Sequence, residues 1–408
     1  MKNDRKILRK LAGEYFIAAQ DEKHTENMRL HRAVNDLNQI RPVVLIDEIP
    51  FHELDYDGSL ALHCEDPILR EAEEYMRQQL FKWKHFPADM FLTPYIPVQK
   101  IIQTTGIGVE VRENLLATDP KNNIVSHAYL DQIPDGNALE KLHVPELSYD
   151  KKTTWERFGR IADAVGDILP VRITGHKTHV ALWDDIGRYH GITNIYYDLA
   201  EQPEFMHALI SKFTEIYISQ YEQMERLGLF EICLNDIHCT PALSESLPGD
   251  FDGEVVRRGQ IWGKGHAQVF GVVSREMHEE FCIGYMCKIM EPFGLVYYGC
   301  CEPLDKKIDL VEKIPNLRKI SITPWADNDV AAEAIGKKYV FSGKPNPSIL
   351  ASKLDENVLR KEISGILSAC KRNGCNCDIV LKDISTVGYC LDNLLRWEQI
   401  VMEKVRDW

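Results

Sequence analysis

Short apolar segments alternate along the chain with longer segments of helical periodicity. The apolar segments are nearly continuous and rich in β-branched residues, which is typical of strands buried on both faces of a parallel sheet. Nine segments have this character: 43–47, 98–102, 170–174, 231–235, 267–273, 295–298, 319–323, 339–342 and 378–382. The pattern therefore predicts a sheet of about eight or nine short strands.

Helical patterns lie between many of these segments. Residues 203–228 carry apolar side chains at helical spacing, with Pro203 suited to a first turn and Gly228 to a stop. A second helix is predicted over 277–293 and a final one from Leu391. Strand followed by helix, repeated about eight times, predicts the α/β class and a (β/α)8 TIM barrel. One of the nine strand candidates is then surplus.

The two ends of the chain differ in character. The first 40 residues are polar and favour helix, and they contain no glycine after Gly13. We expect residues 1–40 to form an N-terminal helical extension and residues 41–408 to form one barrel domain. The segment 106–152 lacks periodicity and carries turn signals at 119–120 and 134–136, so it is predicted to be an insertion or lid.

Composition narrows the class of protein. The 408 residues carry 48 basic and 62 acidic side chains, a formal net charge of -14, which disfavours an extended nucleic-acid surface. No apolar stretch approaches the roughly 20 residues of a membrane span, and the charged N-terminus does not resemble a signal peptide. We therefore expect a cytoplasmic protein without a membrane partner. Its 11 cysteines are an odd number, which favours free thiols or metal ligands.

Polar residues with catalytic potential follow several of the predicted strands. Active sites of (β/α)8 barrels lie at the carboxyl ends of the strands, so residues placed there are candidates for chemistry. Asp236, Lys382 and Asp383 are candidate catalytic residues, and His238 and Trp325 are candidate substrate contacts. A structural ion pair is the alternative for Lys382 and Asp383. The sequence lacks a Walker phosphate loop, a Gly-x-Ser-x-Gly elbow and a His-Glu-x-x-His motif.

A zinc site can be assembled from the same regions. Zinc binds thiolate, imidazole and carboxylate groups, and a catalytic site keeps one position open. Glu245, His266 and Cys300 would form such a set if the fold brings their loops together. A solvated glutamate, a hydrogen-bonded histidine and a core cysteine are the simpler alternatives. The neighbours His238 and Cys239 are a further pair that could bind metal or substrate, with an ordinary loop role as the alternative.

Several motifs resemble one known superfamily. The most distinctive is Val-Tyr-Tyr-Gly-Cys-Cys-Glu-Pro-Leu at 296–304. The others lie at 46–50, 64–67, 197–203, 314–325, 341–347 and 381–386. Together they resemble the uroporphyrinogen decarboxylase superfamily, and more closely its corrinoid-dependent methyltransferase branch. The resemblance covers most of the chain from about residue 40 and implies a (β/α)8 barrel.

Departures from the superfamily patterns distinguish its branches. The decarboxylases carry an arginine-rich signature after the first strand, where this chain has the acidic segment 49–58, so porphyrinogen decarboxylation is disfavoured. The methyltransferases bind zinc through His-x-Cys and a later Cys. Cys300 matches the first Cys, but Tyr298 replaces the His and the later position falls near Asp383. We assign Tyr298 to substrate binding. Similar enzymes that demethylate methyl ethers use Glu, Glu and His, which resembles Glu245 and His266, with Glu231 as a poorer match for the first member.

The resemblance implies a zinc-dependent methyltransferase. Such an enzyme moves a methyl group from a small methoxylated substrate, such as an aryl methyl ether, to the Co(I) corrinoid of a partner corrinoid protein. Members of the superfamily are often homodimers. Two alternatives stay open: a decarboxylase of another carboxylated substrate, and a non-catalytic member that binds a corrinoid or tetrapyrrole.

Overall fold

The computed structural model of the chain describes residues 2–116, 125–232, 235–247, 253 and 255–408. Helices surround a central sheet within these residues. The α-helices are α1 (Lys2–Ala18), α2 (Lys23–Asn35), α3 (Pro67–His85), α4 (Gly136–Leu139), α5 (Lys151–Val165), α6 (Leu182–His190), α7 (Ile192–Glu201), α8 (Pro203–Arg226), α9 (Arg275–His278), α10 (Gly284–Met290), α11 (Ile308–Val311), α12 (Asn328–Ile335), α13 (Glu356–Asn373) and α14 (Leu391–Arg406).

The strands are short, as the apolar segments predict. They are β1 (Val43–Ile46), β2 (Ile96–Gln99), β3 (Ile102–Thr104), β4 (Glu113–Leu116), β5 (Ser126–Tyr129), β6 (Leu147–Tyr149), β7 (Val171–Thr174), β8 (Asp236–Ile237), β9 (Thr240–Pro241), β10 (Trp262–Gly265), β11 (Leu295–Tyr298), β12 (Leu317–Ile322), β13 (Val340–Gly343) and β14 (Asn376–Leu381).

Six strands form the central sheet in the order β1-β14-β13-β12-β11-β10, and every neighbouring pair is parallel. All residues of β1, β11, β13 and β14 are buried, which accounts for their continuous apolar sequence. Helices cover the sheet, and none of the helices described combines the length and apolar character of a membrane span. The α/β class predicted from the sequence is confirmed.

The sheet is open along β1. Strands β2 and β7 form a separate parallel pair, and single bridges at His176–Phe230 and Val180–Gly265 continue from β7 toward β10. Among the described residues no ladder joins β1 to β2. Asp89 occupies the free edge instead: its backbone N–H donates to Val44 O (3.0 Å), and its carboxylate accepts from Val44 N–H (2.8 Å). A closed eight-stranded barrel is therefore not shown. We call this open edge of β1 the seam.

A small hairpin, β8–β9, packs against buried polar side chains of the central sheet beside the seam. Lys319 of β12 donates from Nζ to Thr240 Oγ1 (3.0 Å) and Pro241 O (2.8 Å). The same ammonium group pairs with Asp378 of β14 at 2.9 Å, and neither side chain is exposed. The hairpin follows the predicted strand 231–235, of which Cys233 and Leu234 lie outside the described residues.

One predicted strand is wrong. Residues 267–273 contain a 3-10 helix, Gln268–Gly271, and the strand is β10, which begins five residues earlier at Trp262. Its sequence, Trp-Gly-Lys-Gly, has low strand propensity, but the glycines are required by packing. A Cβ atom would lie 2.8 Å from Met290 Sδ at Gly263 and 2.7 Å from Met286 Sδ at Gly265.

The predicted helices are found with one modification. Helix α8 begins at Pro203, and the chain turns away at Gly228 with φ +64°. Helix α14 also begins at Leu391 as predicted. Residues 277–293, predicted as one helix, are divided by a π-helix, Glu279–Ile283, between α9 and α10.

The N-terminal segment is helical and packs directly on the rest of the chain. The apolar face of α1 carries Leu8 and Tyr15, which share a buried cluster with Val43 and Leu45 of β1. Helix α2 reaches the hairpin, because the Asn35 side-chain amide donates to Pro241 O (3.0 Å) and Leu243 O (2.8 Å). The segment 106–152 contains the antiparallel pair β4–β5 and also β6, which pairs antiparallel with β3 just before the segment. Residues 117–124 lie outside the description.

Candidate functional site

Three metal-ligating side chains meet beside the seam. Glu48 follows β1, and His238 and Cys239 form the turn of the β8–β9 hairpin. Each offers one ligand atom, and the three atoms lie within 4.8 Å of one another. Glu48 is exposed, His238 is half-buried and Cys239 is buried. We call these residues the triad.

The backbone of the triad is held in an unusual conformation. Glu48, His238 and Cys239 have φ values of +50°, +43° and +68°, and the neighbouring Asp383 has +56°. Left-handed conformations are disfavoured for residues other than glycine, and where they persist they commonly mark functional sites. A two-residue hairpin turn with two positive φ values normally selects Asn-Gly. The chain instead places two metal-ligating side chains there.

A pair of adjacent cysteines borders the triad. Cys300 and Cys301 follow β11, and their sulfur atoms lie 3.6 Å apart. Cys300 Sγ is 3.0 Å from His238 Nε2 and 3.4 Å from Lys382 Nζ. Lys382 also donates to Asp383 Oδ2 at 2.6 Å. This group joins the ends of β11 and β14 to the tip of the hairpin.

The environment favours a thiolate at Cys300. The hydrogen bond from Cys301, with the positive charges of Lys264 and Lys382, outweighs burial and lowers the pKa of Cys300 to about 7. The Cys300 backbone N–H donates to Glu302 Oε2 at 2.9 Å, which fixes the turn after the strand. Burial opposes the charge of Lys382, but Cys300, Cys301 and Asp383 outweigh it and raise the pKa of Lys382 above its usual range. Lys382 is therefore a permanent cation.

Three imidazole rings lie together on the other side of Cys300. The ring centroids of His179 are 5.3 Å from those of His238 and 4.9 Å from those of His266, and His238 stacks on His266 at 5.9 Å. Burial is the main cause that lowers the pKa of all three, and the charge of Lys264 lowers each further. The rings are neutral at pH 7, which is the form that binds metal.

Buried charges surround the histidines. Lys264 has its ammonium group 2.8 Å from Gly299 O and 3.3 Å from His266 Nδ1, and burial lowers its pKa to about 8. Asp184 has Oδ2 3.8 Å from His266 Nε2. Burial, followed by the charge of Glu302, raises the pKa of Asp184 to about 7. Groups that exchange protons near neutral pH therefore lie beside the rings.

The structure brings together some of the residues predicted from the sequence. His238 contacts Cys300, and Lys382 contacts both Cys300 and Asp383. His266 stacks on His238. Glu245 is not part of this group. Its carboxylate pairs with Arg32 at 2.9 Å and its backbone N–H donates to Asp36. The predicted set of Glu245, His266 and Cys300 is therefore not assembled.

The other predicted residues lie around the site. Asp236, at the base of the hairpin, forms an ion pair with Lys177. Tyr298 has no exposed surface, and its hydroxyl is 3.0 Å from His278 Nε2, in the layer behind the strand. Trp325 follows β12 and is 70% exposed, so it is accessible to a ligand or a protein partner.

Several residues of the site were not selected from the sequence. Glu48 directly follows a predicted strand, so its position was a signal for it, whereas Cys239 was already named with His238 as a possible metal or substrate ligand. No such signal in the sequence pointed to His179, because it lies between β7 and α6 rather than at the end of a recognised strand. Glu302 acts through backbone hydrogen bonds to Cys300 and Ala267, which the sequence pattern does not reveal.

Comparison with known proteins adds one likeness. None of the known protein-family models matches the sequence, and none of the curated proteins does. A solved structure described as a methyltransferase from Methanosarcina mazei is similar over 92% of this chain and 97% of that chain, with 10% sequence identity and a TM-score of 0.49. A likeness at this level assigns neither a family nor an activity, so the functional argument rests on the site.

Proposed function

We propose that the chain is a zinc-dependent methyltransferase. In this proposal it moves a methyl group from a small methoxylated substrate to the Co(I) corrinoid of a separate protein. The observation that carries the metal-dependent part is the triad of Glu48, His238 and Cys239 beside the sheet. The methyl group and the corrinoid partner follow from the sequence motifs, of which Tyr-Gly-Cys-Cys-Glu at 298–302 borders the triad through Cys300.

The donor set suits zinc. Carboxylate, imidazole and thiolate are all zinc ligands, and three protein ligands leave a position open for substrate, as in catalytic zinc sites. His238 is neutral because burial lowers its pKa. Burial raises the pKa of the Cys239 thiol above its usual range, so zinc binding there releases a proton. Glu48, His238 and Cys239 replace the ligand set predicted from the sequence.

Cleavage of the methyl ether requires stabilisation of the negative charge that develops on its oxygen. Bound zinc supplies a Lewis acid that stabilises negative charge on that oxygen. The CH3–O bond breaks and its electron pair stays on oxygen, which takes up one proton, while the electron pair for the new bond to carbon comes from the partner's Co(I). Burial, followed by the charge of Glu302, raises the pKa of Asp184 to about 7, so Asp184 can release a proton at neutral pH.

Exposed aromatic side chains support an approach of the corrinoid protein from the carboxyl ends of the strands. Trp325 follows β12 and is 70% exposed, and Tyr389 follows β14 and is 62% exposed. Aromatic residues are enriched at protein interfaces, so these rings are suited to contact with the corrinoid protein. We retain Trp325 as a contact residue of the proposed reaction.

The proposal includes a barrel architecture for residues 41–408. The six strands of the central sheet and the β2–β7 pair together give eight parallel strands, the number that a (β/α)8 barrel requires. Bridges at His176 and Val180 continue from β7 toward β10, in the direction that closure needs. Among the described residues the ring would be interrupted at the seam and also between β7 and β10, where only the isolated bridges lie.

Metal analysis tests the zinc site. We expect the purified protein to hold close to one zinc per chain by elemental analysis, and His238→Ala or Cys239→Ala to lose it. Glu245→Ala serves as the matched control and retains the metal, because Glu245 pairs with Arg32 away from the triad. A folded wild-type protein that binds no added zinc would refute the proposal.

Methyl transfer tests the reaction. The zinc-loaded protein is mixed with a Co(I) corrinoid protein and a panel of methoxylated donors, and methylation of the corrinoid is followed by absorbance. We expect transfer from at least one donor, reduced at least about 10-fold by Cys239→Ala, because loss of a metal ligand should cost no less than the roughly 10–100-fold loss caused by mutating the hydrogen-bond partners of such ligands. Release of CO2 from a carboxylated substrate without transfer would favour the decarboxylase alternative instead.

A further inference from the structure

Two oppositely charged side chains are completely buried in the middle of the central sheet. Lys319 of β12 and Asp378 of β14 have no exposed surface, and their charged groups lie 2.9 Å apart. Charged residues are rarely buried unless they are paired, and a buried pair adds little to stability compared with apolar side chains of similar size. Stability alone therefore does not account for this pair.

The ammonium group of Lys319 connects the pair to the β8–β9 hairpin. An ammonium group has three N–H donors, and those of Lys319 reach Asp378 Oδ2 (2.9 Å), Thr240 Oγ1 (3.0 Å) and Pro241 O (2.8 Å). Two of these three acceptors belong to β9. The hydrogen-bonding capacity of the ammonium group is thus used within the sheet and on the hairpin.

Thr240 completes this network of hydrogen bonds. Its hydroxyl donates to Asp378 Oδ2 at 3.0 Å, and Asp378 Oδ1 accepts from the hydroxyl of Ser342 on β13. Thr240 and Ser342 have no exposed surface either. Because these groups are shielded from water, their hydrogen bonds are stronger than those of an exposed loop. We call Lys319, Asp378, Ser342 and Thr240 the anchor.

The β8–β9 hairpin is too short to keep its own shape. Each strand has two residues, and both turn residues, His238 and Cys239, have positive φ values. An isolated two-stranded hairpin is marginally stable at best. Apolar residues of the hairpin pack in a small buried cluster, but apolar contacts have no fixed direction. Directional hydrogen bonds are needed to fix the turn, and Thr240, the residue after Cys239, forms them with Lys319 and Asp378.

We propose that the anchor is a positioning device for the triad. It holds the hairpin turn so that the ligand atoms of His238 and Cys239 stay within 4.8 Å of that of Glu48. Thr240 is the positioning residue that connects the two groups, because it follows Cys239 in the chain and bonds to both members of the buried charge pair. The inference rests on the proposed function only for the identity of the metal as zinc.

Alkylation of the purified, chelator-treated full chain tests the position of the turn. Cys239 is 6% exposed, so iodoacetamide reaches its thiol when the turn opens. Thr240→Val removes the hydroxyl with little change of shape. We expect the Cys239 alkylation rate, followed by peptide mass spectrometry, to rise about two- to tenfold, the effect of losing one hydrogen bond on an opening equilibrium. Thr240→Ser retains the hydroxyl and is expected to react like the wild type.

Thr154→Val is the matched control. Thr154 is also fully buried, and its hydroxyl accepts from Ile101 N–H (3.0 Å) and donates to Asp150 O (2.8 Å). The substitution removes the same group outside the anchor, so we expect it to leave the Cys239 alkylation rate unchanged. A rate in Thr240→Val no higher than in Thr154→Val would overturn the proposal.

Zinc affinity is the second readout, measured by titration with zinc alone against a chelating dye. We expect at least about tenfold weaker binding by Thr240→Val, because residues that orient metal ligands typically contribute roughly 10–100-fold to affinity. Thr240→Ser and Thr154→Val are expected to bind like the wild type. Wild-type affinity in Thr240→Val would contradict the positioning role. If the wild type binds no zinc, the proposed function fails, and the alkylation rates still decide whether the anchor holds the turn.

A double substitution separates position from stability. Lys319→Met with Asp378→Val replaces the charge pair by apolar side chains, an exchange that is often neutral for stability. We expect this variant to unfold cooperatively, but to show the faster Cys239 alkylation and the weaker zinc binding of Thr240→Val. Slow alkylation together with wild-type zinc binding in a folded double variant would overturn the proposal, because the position of the turn would then not depend on the anchor.

Discussion

The residues of the site combine unfavourable backbone conformations with buried polar groups. Four residues there adopt positive φ, and each such position costs on the order of 1–3 kcal/mol. Position after a strand was enough to select His238, Cys300, Lys382 and Asp383 from the sequence. Glu245 was chosen instead from a loop before a predicted strand, and the direction of a loop side chain depends on its partner, here Arg32.

At the same scale, His31 is expected to make stability depend on pH. Its pKa is about 4 in the folded chain against 6.5 for an ordinary histidine, so the unfolded chain binds more protons between these values. Stability contributed by the neutral ring is present above about pH 6.5 and is lost as the pH falls toward 4, by about 3 kcal/mol. Denaturant unfolding at pH 7 and pH 4.5 should show a smaller difference for His31→Gln than for the wild type.

The exposed His63 provides the control for this measurement. His63→Gln is expected to keep the wild-type pH dependence, because its side chain remains in water in the folded chain. Equal pH dependence in His31→Gln and the wild type would contradict a buried neutral ring at His31.

At the scale of elements, the strands with continuous apolar sequence were predictable, and the glycine-containing β10 was not. Strand propensity describes a residue type without its neighbours. Glycine is favoured at Gly263 and Gly265 because Met290 and Met286 of a neighbouring helix approach closely. The β8–β9 hairpin was hidden for a related reason. Its turn carries His238 and Cys239 in place of the Asn-Gly pair that such turns usually have, so the sequence lacked the usual hairpin signal.

The turn of this hairpin yields a stability prediction. His238→Asn replaces a strained residue by one that tolerates a positive φ, so we expect the metal-free protein to gain about 0.5–1 kcal/mol in free energy of unfolding and to lose zinc binding. Ala88→Gly is the matched comparison, since Ala88 has φ +43° away from the triad. It is expected to stabilise the protein and keep zinc. Denaturant titration and elemental analysis give the two readouts.

At the scale of the whole molecule, the alternation of strands and helices predicted the parallel sheet but not its open edge. A closed barrel would need pairing at β1, where Asp89 satisfies the edge, and also between β7 and β10, where the described residues form only isolated bridges. The N-terminal helices also form part of the core. Leu8, Leu11 and Tyr15 of α1 and Leu30 and Val34 of α2 are buried in the cluster that includes β1.

Removal of residues 1–40 is therefore expected to abolish stable folding. Burial of large apolar side chains contributes roughly 1.5–3 kcal/mol each, so loss of these five is comparable with the 5–15 kcal/mol stability of a typical domain. We expect the 41–408 fragment to be insoluble or to lack a cooperative thermal transition by circular dichroism. A soluble fragment that melts like the full chain would show that the extension is dispensable.

The open edge of β1 has a consequence for how this protein can diverge. Gln79, Met90 and Phe91 line a cavity beside this edge and lie outside the strand ladders, so exchanging these side chains breaks no backbone pairing. The triad is constrained by three left-handed backbone positions and by its contacts with Cys300 and Asp383. Side chains along this edge can therefore change while the triad stays fixed, and related proteins should differ first along this edge.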